Sequence, residues 1–371
     1  MVNCQNDMNW KLYTLFVVAI LLIIYQRGQT SGRGISKLLP YIVSPEGVYR
    51  HESVISLGRA VSPKEGLPKY FKYKESALVP IRNQGKCASC WSYAVCDLLA
   101  DRLSLATGGK IKRHLSVQEL LACFRPLQFS CATGGIPELA YGYVAQHGLS
   151  TEVAYPYVQA NGGVMRPCDR TLSGNLSWME YLYNNPLRYR EYPEKVFVRP
   201  ESIRNLCVSP RWSGSIQDNI LNMKSEIFLH GPICGTLLVY DDLYNYDGSS
   251  VYHVKEGARI RGGHAIEIFG WCDPGQNTME KGFEEGYWIC RNSWGGIWPR
   301  KLPKHSGWFY VRMGTNEAQI ESRASSASPI VPDGIEKQPL LASAYVSYNE
   351  YVNDPERVNF FADLAARRSG K

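Results

Sequence analysis

The chain has 371 residues, of which 44% are hydrophobic and 20% are charged, and it carries a formal net charge of +7. This balance is typical of a globular protein. The basic residues are spread along the chain without a block of consecutive lysines and arginines, which argues against nucleic acid as a partner. The eleven cysteines favour an oxidising compartment, and their odd number leaves at least one thiol outside any disulfide.

An uncharged and strongly apolar segment, residues 12–25, lies between Lys11 and Arg27 near the start of the chain. It is slightly short for the hydrocarbon core of a bilayer, but the flanking cations can extend to the interfaces. A cleaved signal peptide is the alternative, although no Ala-x-Ala-like cleavage site follows the segment. We therefore predict that residues 1–27 hold a membrane anchor or signal segment.

Two observations bear on the side of the membrane where the rest of the chain lies. Arg27, Arg33 and Lys37 follow the apolar segment, which by the positive-inside rule favours the cytosol. The cysteine content favours the lumenal or extracellular side, where disulfides persist, and Asn175 begins a glycosylation sequon. We expect a single-pass membrane protein in which the chain after the apolar segment lies on the lumenal or extracellular side. If the segment is cleaved, we expect a secreted protein.

A Cys-x-x-Cys motif, Cys87 to Cys90, stands where a helix is predicted to begin. Apolar and long side chains follow at spacings of three and four, namely Trp91, Val95, Leu98, Leu99, Arg102 and Leu103. Cys90 is therefore expected on the first turn of an amphipathic helix, where the positive end of the helix dipole stabilises a thiolate. The motif also fits a redox pair, half of a zinc site or two structural cysteines. No second cysteine or histidine pair with zinc-ligand spacing accompanies it, so no metal is expected.

Further helices and strands are predicted along the rest of the chain. The capping box of Ser116 and Glu119 opens a second helix, and residues 137–146 form a third before Gly148. A fourth helix carries Ile216, Ile220, Met223 and Ile227 and ends at Gly231-Pro232. Strands are predicted at residues 236–240, 265–269, 287–290 and 308–311.

A histidine and an asparagine complete the elements that a nucleophilic cysteine requires. His264 follows Gly262-Gly263 at the start of a predicted strand, and Asn292 follows the next strand. A cysteine nucleophile needs an imidazole to take its proton and a side chain that orients the imidazole. Both are present.

The run Cys87-Ala88-Ser89-Cys90-Trp91, with His264 and Asn292 downstream, resembles the signature of the papain-family cysteine proteases, with Ala88 in place of the family's glycine. The likeness is closest to the cathepsin B branch, and it covers about residues 66–324. It is carried also by Leu67-Pro68, Ala77 to Gln84, Gly231-Pro232, Gly248 to His253 and Ile320-Glu321-Ser322. The chain further resembles the membrane-tethered cysteine proteinases that some large DNA viruses encode.

The resemblance implies a role for each matching residue. Cys90 is the nucleophile, His264 the general base and later the general acid, and Asn292 the group that orients the imidazole. Gln84 supplies a donor to the oxyanion hole. Because a thiol and an imidazole in contact exchange a proton, the resemblance implies a thiolate–imidazolium pair.

Four more residues surround these in the family pattern. Trp294 shields the bond between histidine and asparagine, and Trp298 is a second aromatic residue on the leaving-group side. Gly135 lets the substrate backbone approach closely. Arg323 stands where the cathepsin B branch has an acidic residue at the base of the S2 pocket, which predicts a shift away from basic P2 side chains.

Disulfides are implied by the same resemblance. Cys87 would pair with Cys131, and Cys123 with Cys168. Five cysteines have no assignable partner, and a buried free thiol is expected for those of them that lie in apolar runs: Cys96, Cys207, Cys234, Cys272 and Cys290.

The expected fold class is α+β, with a helical first lobe, a second lobe made of a sheet or barrel, and the active-site cleft between them. Residues 1–27 are the anchor or signal segment, 28–65 a linker or short pro-segment, 66–324 the peptidase domain and 325–371 a C-terminal extension to which no function is assigned.

The expected function is a thiol-dependent endopeptidase that acts on protein or peptide substrates through an acyl-enzyme and needs no cofactor. The cathepsin B branch owes its carboxydipeptidase activity to a loop with paired histidines, and the corresponding insertion here, residues 162–195, contains none. Two alternatives stay open. The chain could be a catalytically silent papain-like binding protein, or a dithiol oxidoreductase that uses Cys87 and Cys90.

Overall fold

The computed structural model describes residues 66–124, 129–168, 195–207, 215–276, 282–299, 307–335, 337 and 345–346. All of them belong to the second of the two units into which the chain divides, Val54–Lys371. The apolar segment 12–25, the linker or pro-segment 28–65, the sequon at Asn175 and most of the histidine-free insertion lie outside the described residues. Within the described parts, no helix is both long enough and apolar enough to cross a membrane.

Four α-helices begin where the sequence predicts them: α1 Cys90–Ala106, α2 Val117–Cys123, α3 Pro137–His147 and α4 Ile216–His230. The hydroxyl of Ser116 accepts the N–H of Glu119 at 2.9 Å, which caps α2. The second half of the predicted capping box does not form, because the Glu119 carboxylate accepts the N–H of Ser150 and binds Lys195 instead. At the end of α4, Gly231 has φ 105°, a conformation that glycine adopts without strain.

Eight described strands form one antiparallel sheet: β1 Tyr70–Tyr73, β2 Arg204–Asn205, β3 Ile233–Tyr240, β4 Ile260–Cys272, β5 Tyr287–Arg291, β6 Trp308–Arg312, β7 Ala324–Ser326 and β8 Tyr345–Val346. The order is β2-β7-β3-β4-β1-β8, and β5 pairs with β4 and β6. The four predicted strands correspond to β3 to β6. The others are short, and their sequences carry little alternation.

The two ends of the domain meet in the sheet. β1 precedes the helices in the chain, yet it pairs with β4 through Phe71 opposite Trp271. β8, from the C-terminal extension, pairs with β1 through Val346 opposite Lys72. The second lobe is therefore built from both ends of the domain as well as from its second half.

The described residues form two hydrophobic cores. Helix α1 contributes most of its buried side chains to the core that it shares with α2 and α3, and Leu105 near its end reaches the core of the sheet and α4. Fourteen of its seventeen residues are buried. The expectation of an amphipathic helix is therefore wrong, because α1 packs against α3 on one side and against β3 and β4 on another. Its buried polar residues, such as Asp101 and Arg102, are paired with groups of opposite charge.

Two disulfides join residues within the first lobe. The structure links Cys87 to Cys131 and Cys123 to Cys168, the pairings that the resemblance implies. The five cysteines without an assignable partner are free and buried. Cys90 is also free, and it is partly exposed.

A buried ion pair connects α1 to the sheet lobe. Arg102 Nη2 lies 3.0 Å from Glu226 Oε1 on α4, and both side chains are almost fully buried. Arg102 also donates to the carbonyl oxygens of Pro232 and Gly231, and the hydroxyl of Ser326 donates to Glu226. Burial raises the pKa of Glu226, but Arg102, together with His230, Ser326 and Arg204, outweighs this effect and holds the pKa below its usual value.

We expect Arg102→Met to lower the free energy of unfolding by about 3–5 kcal/mol, because it removes the buried counter-ion of Glu226 and leaves only the more exposed Arg204, at 3.4 Å. The double variant Arg102→Met/Glu226→Gln should recover part of this loss. Urea unfolding monitored by circular dichroism measures both. The control is Arg312→Met, which removes the partly exposed pair with Glu285 and should cost less than about 1 kcal/mol. A single variant as stable as the parent would contradict the expectation.

Candidate active site

Three side chains from three different elements meet at the junction of the lobes. Cys90 is the first residue of α1, His264 lies in β4, and Asn292 follows β5 directly. The His264 Nε2 atom lies 2.8 Å from Asn292 Oδ1. The thiol of Cys90 and the imidazole of His264 are close enough that each shifts the pKa of the other. Because Asn292 occupies Nε2, the nitrogen that remains for the thiol is Nδ1.

Electrostatics at the site favour a charged thiol and a charged imidazole. Burial alone raises the pKa of the Cys90 thiol, but the charge and hydrogen bond of His264, with the N–H groups of Ala265 and Trp91, bring the pKa below its usual value. Burial alone lowers the pKa of His264, whereas Cys90 and the bond to Asn292 raise it above its usual value. Both shifts favour the state in which the thiol is deprotonated and the imidazole is protonated, a thiolate–imidazolium pair.

The amide of Gln84 is fixed at both ends beside Cys90. Its Oε1 accepts the hydroxyl of Ser293 at 2.6 Å, and its Nε2 donates to the carbonyl of Cys87 at 2.8 Å. The backbone N–H of Gln84 also donates to the carbonyl of Ser293. One hydrogen of the amide group is left for a further acceptor. Gln84 is therefore tied to both the cysteine motif and the residue after Asn292.

Aromatic rings cover the imidazole. The indole of Trp294 lies 4.9 Å from the His264 ring, centroid to centroid, and Tyr244 stacks on Trp294 at 5.4 Å. Trp298 meets Trp294 edge-on at 5.0 Å. The structure thus brings Trp294 into contact with the histidine, whereas Trp298 packs against Trp294.

The two residues expected to bind substrate lie at different places. A Cβ atom at Gly135 would lie 2.5 Å from the indole of Trp91, so close packing on the residue after Cys90 already requires glycine there. Arg323 is exposed, and its carbonyl accepts the N–H of Thr236, which pairs with Ala265 in the sheet. Arg323 is therefore two strands away from the residue after His264.

Sequence reasoning did not identify the groups that hold the Gln84 segment. The hydroxyl of Tyr157 donates to the carbonyl of Gln84 at 2.8 Å and lies 2.9 Å from the hydroxyl of Ser89, the residue before α1. Tyr93 Oη donates to the carbonyl of Asn83. No sequence pattern distinguishes these tyrosines from the many others. Among the described residues, no group of three or more His, Cys, Asp or Glu side chains could hold a metal ion.

Similar sequences show the family to which the chain belongs. The family model "Papain family cysteine protease" matches residues 67–328. Cathepsin B-like cysteine proteinase 6 of Caenorhabditis elegans is 28% identical over 262 residues, which is 67% of this chain and 62% of that protein. Proteinase 4 of the same species is 29% identical over 260 residues, 68% of this chain and 70% of that protein. The chain thus spans less than two thirds of the length of proteinase 6.

Similar solved structures have the same fold. The procathepsin B S9 structure from Trypanosoma congolense has a TM-score of 0.55 at 18% identity, over 81% of this chain and 98% of that chain. The digestive procathepsin L 3 structure from Tenebrio molitor has a TM-score of 0.52 at 20% identity, over 73% of each chain. These likenesses confirm the predicted α+β fold. With a family model that matches most of its length, the chain belongs to the papain family of cysteine proteases.

Proposed function

We propose that this protein is a thiol-dependent endopeptidase that acts through Cys90, His264 and Asn292. The observation that carries the proposal is the position of the imidazole, which is hydrogen-bonded to Asn292 through Nε2 and interacts electrostatically with the thiol of Cys90. The opposite pKa shifts of the thiol and the imidazole support the same assignment. Family membership supports a cysteine peptidase in general.

The reaction follows from this arrangement. The Cys90 thiolate attacks the carbonyl carbon of the scissile peptide bond, and the carbonyl oxygen becomes an oxyanion. The free hydrogen of the Gln84 amide and the N–H of Cys90 then stabilise that charge, an effect worth roughly 3 kcal/mol per donor. The His264 imidazolium gives its proton to the departing amine. The acyl part of the substrate then remains on the Cys90 sulfur as a thioester. Neutral His264 next takes a proton from water, which hydrolyses the thioester and releases Cys90.

The pKa shifts set the pH range of this chemistry. Since the pKa of Cys90 is lowered, its thiolate persists at pH values where an ordinary thiol is protonated. Since the pKa of His264 is raised, the imidazolium persists above the pH where an ordinary histidine is neutral. The productive pair exists between these two ionisations, so we expect a bell-shaped pH profile for kcat/KM.

Two alternatives are less well supported. A dithiol oxidoreductase needs Cys87 and Cys90 as partners, whereas Cys87 is bonded to Cys131. A silent binding protein needs no ion pair between thiol and imidazole. Endopeptidase action, as opposed to removal of dipeptides from a C-terminus, rests on the absence of histidine from residues 162–195. Most of that insertion lies outside the described residues, so this preference stays a prediction from the sequence.

We also propose that residues 12–25 attach the enzyme to a membrane, with the protease domain on the lumenal or extracellular side. The support is the apolar, uncharged character of the segment and its flanking cations. The two disulfides of the first lobe favour an oxidising compartment.

For substrate choice, we propose that Arg323 disfavours basic P2 side chains. Its exposed position two strands from Ala265 supports this assignment. A cation at the base of that pocket repels lysine and arginine and attracts acidic groups.

The first prediction of the proposed function concerns the reactivity of Cys90. An epoxide or vinyl-sulfone peptide inhibitor should label the native full-length protein at Cys90, and labelling should persist at pH 6, well below the ordinary thiol pKa of about 8.5. His264→Ala should abolish rapid labelling at pH 6, because it removes the proton acceptor. Mass spectrometry of the adduct locates the site. Cys96→Ser is the control, because this buried cysteine lies outside the site. An unlabelled native protein would favour the silent fold.

The second prediction concerns P2 specificity. On a library of peptides that differ at P2, Arg323→Glu should raise kcat/KM for arginine at P2 by about tenfold relative to Arg323→Gln, because it reverses the local charge. The ratio of arginine to phenylalanine substrates is the readout. A native enzyme that prefers arginine at P2 would exclude the proposed role.

The third prediction concerns the membrane. Full-length protein expressed in a eukaryotic cell should stay in the membrane pellet after alkaline carbonate extraction, whereas a variant without residues 1–27 should not. Protease protection of sealed microsomes reports the side on which the domain lies. Release of the full-length protein by carbonate would contradict anchoring.

A further inference from the structure

Two carboxyl groups and one guanidinium are buried together beneath the candidate active site. Arg291 Nη1 lies 2.8 Å from Glu267 Oε2 and also donates to Asp101 Oδ2. The exposed fractions are 0% for Asp101, 3% for Glu267 and 6% for Arg291. We refer to Asp101, Glu267 and Arg291 as the carboxyl–arginine cluster.

Each member of the cluster lies on an element that carries a residue of the site or directly precedes one. Asp101 is on α1, which begins at Cys90, and Glu267 is on β4 three residues after His264. Arg291 is the last residue of β5 and immediately precedes Asn292, and it pairs directly with Glu267 in the sheet. Since successive residues of a strand point to opposite faces, the cluster lies on the face of the sheet opposite to His264.

The cluster also holds the segment that leads to Gln84. The second guanidinium nitrogen of Arg291 donates to the carbonyl of Val79, and the N–H of Val79 donates to the carboxylate of Asp101. Val79 lies five residues before Gln84. The backbones that carry all four proposed catalytic groups are therefore connected through one buried set of charges.

The charges of the cluster do not balance if both carboxyl groups are ionised. Asp101 and Asp97 of α1 and Arg291 of β5 are the charged groups that face Glu267, and Asp97 adds a further negative charge. Arg82 is bound to Asp97 and to Glu152, so its charge is already matched. A buried net negative charge is costly unless one acid keeps its proton.

One atom of the cluster indicates where that proton resides. Glu267 Oε1 is buried and receives no hydrogen bond from a donor group among the described residues, whereas the carboxyl groups of Glu267 and Asp101 lie within hydrogen-bonding range of each other. A protonated Glu267 would turn this oxygen into a donor and remove the excess charge. Burial raises the pKa of Glu267 well above its usual value, and the negative charge of Asp101 adds to the effect.

We propose that the carboxyl–arginine cluster positions Cys90 against His264, and that its two carboxyl groups share one proton in the active enzyme. The inference rests on the proposed function. The three residues touch no substrate and act through the elements that bear the catalytic groups. When the shared proton is lost at high pH, the like charges of Asp101 and Glu267 repel, and α1 loses its fixed position relative to β4.

The shared proton makes stability depend on pH in a defined direction. Because the pKa of Glu267 is higher in the folded than in the unfolded protein, the folded state binds more protons between these two pKa values. Stability therefore falls as pH rises through that interval. Glu267→Gln has no proton to lose, so its advantage over the native protein should grow with pH.

The test uses the full chain and two kinds of variant. Glu267→Gln should move the alkaline limb of the kcat/KM profile to higher pH and make it a single-proton ionisation, whereas the native limb should be steeper. The matched control is Glu226→Gln, another buried glutamate beside α1, which should lower stability and leave the limb in place. If Glu267→Gln changes the melting temperature alone and keeps the native limb, the inference is overturned.

A charge exchange tests the positioning role directly. Arg291→Met should slow alkylation of Cys90 by iodoacetamide at pH 6 about tenfold or more, since each unit of rise in the thiol pKa lowers the thiolate fraction tenfold. The double variant Glu267→Arg/Arg291→Glu keeps the same charges at positions that face each other in β4 and β5, and it should recover most of the native rate. A double variant that folds and stays as slow as Arg291→Met contradicts the inference.

The native protein tests the proposed function, and the Glu267→Gln variant tests the positioning role of the cluster. A native protein whose Cys90 alkylates no faster than a free thiol at pH 6 contradicts the proposed function. A reactive native protein whose Glu267→Gln profile matches the native one overturns the positioning role alone. If Arg291→Met does not fold, the Glu267→Gln profile, compared with that of Glu226→Gln, still decides the question.

Discussion

The contact between the Cys90 thiol and the His264 imidazole is the interaction on which the rest of this structure depends. Without the other, neither group would be charged near neutral pH, because burial raises the pKa of the thiol and lowers that of the imidazole. The charge of each depends mainly on the other, with smaller contributions from the N–H groups of Ala265 and Trp91 and from Asn292. The two residues are far apart in the sequence and belong to different lobes, so the lobes must be held in register to a fraction of an ångström.

Helix α1 meets this requirement because it is fixed along its whole length. The disulfide of Cys87 holds the segment before it, and the hydroxyl of Tyr157 connects the Gln84 segment to its N-terminus. Farther along, the adjacent residues Asp101 and Arg102 reach two separate buried sets of charges, one in the central strands and one in α4. A helix held in this way cannot slide or rotate without breaking buried ion pairs.

The sequence predicts the parts of this protein that depend on local chemistry. The helix starts at Cys90 and after Ser116, the candidate catalytic residues and the long strands all have patterns that can be recognised. The buried charges do not, because Asp101, Glu267 and Arg291 resemble surface residues until tertiary contacts bring them together. For Gly135 the resemblance gave a role in substrate approach, whereas packing against Trp91 is a separate reason that requires the folded structure. The short strands β1 and β8 are likewise defined by their partners rather than by their own residues.

Strand β8 also changes how the C-terminal extension is understood. It pairs with β1 at one end of the sheet and therefore covers backbone groups that an open strand would present to another molecule. Open edges of this kind recruit strands from other chains and start aggregation. The two residues Tyr345–Val346 thus protect the edge of β1, and a shortened protein that lacks them exposes this edge to other chains even though Cys90, His264 and Asn292 are unchanged.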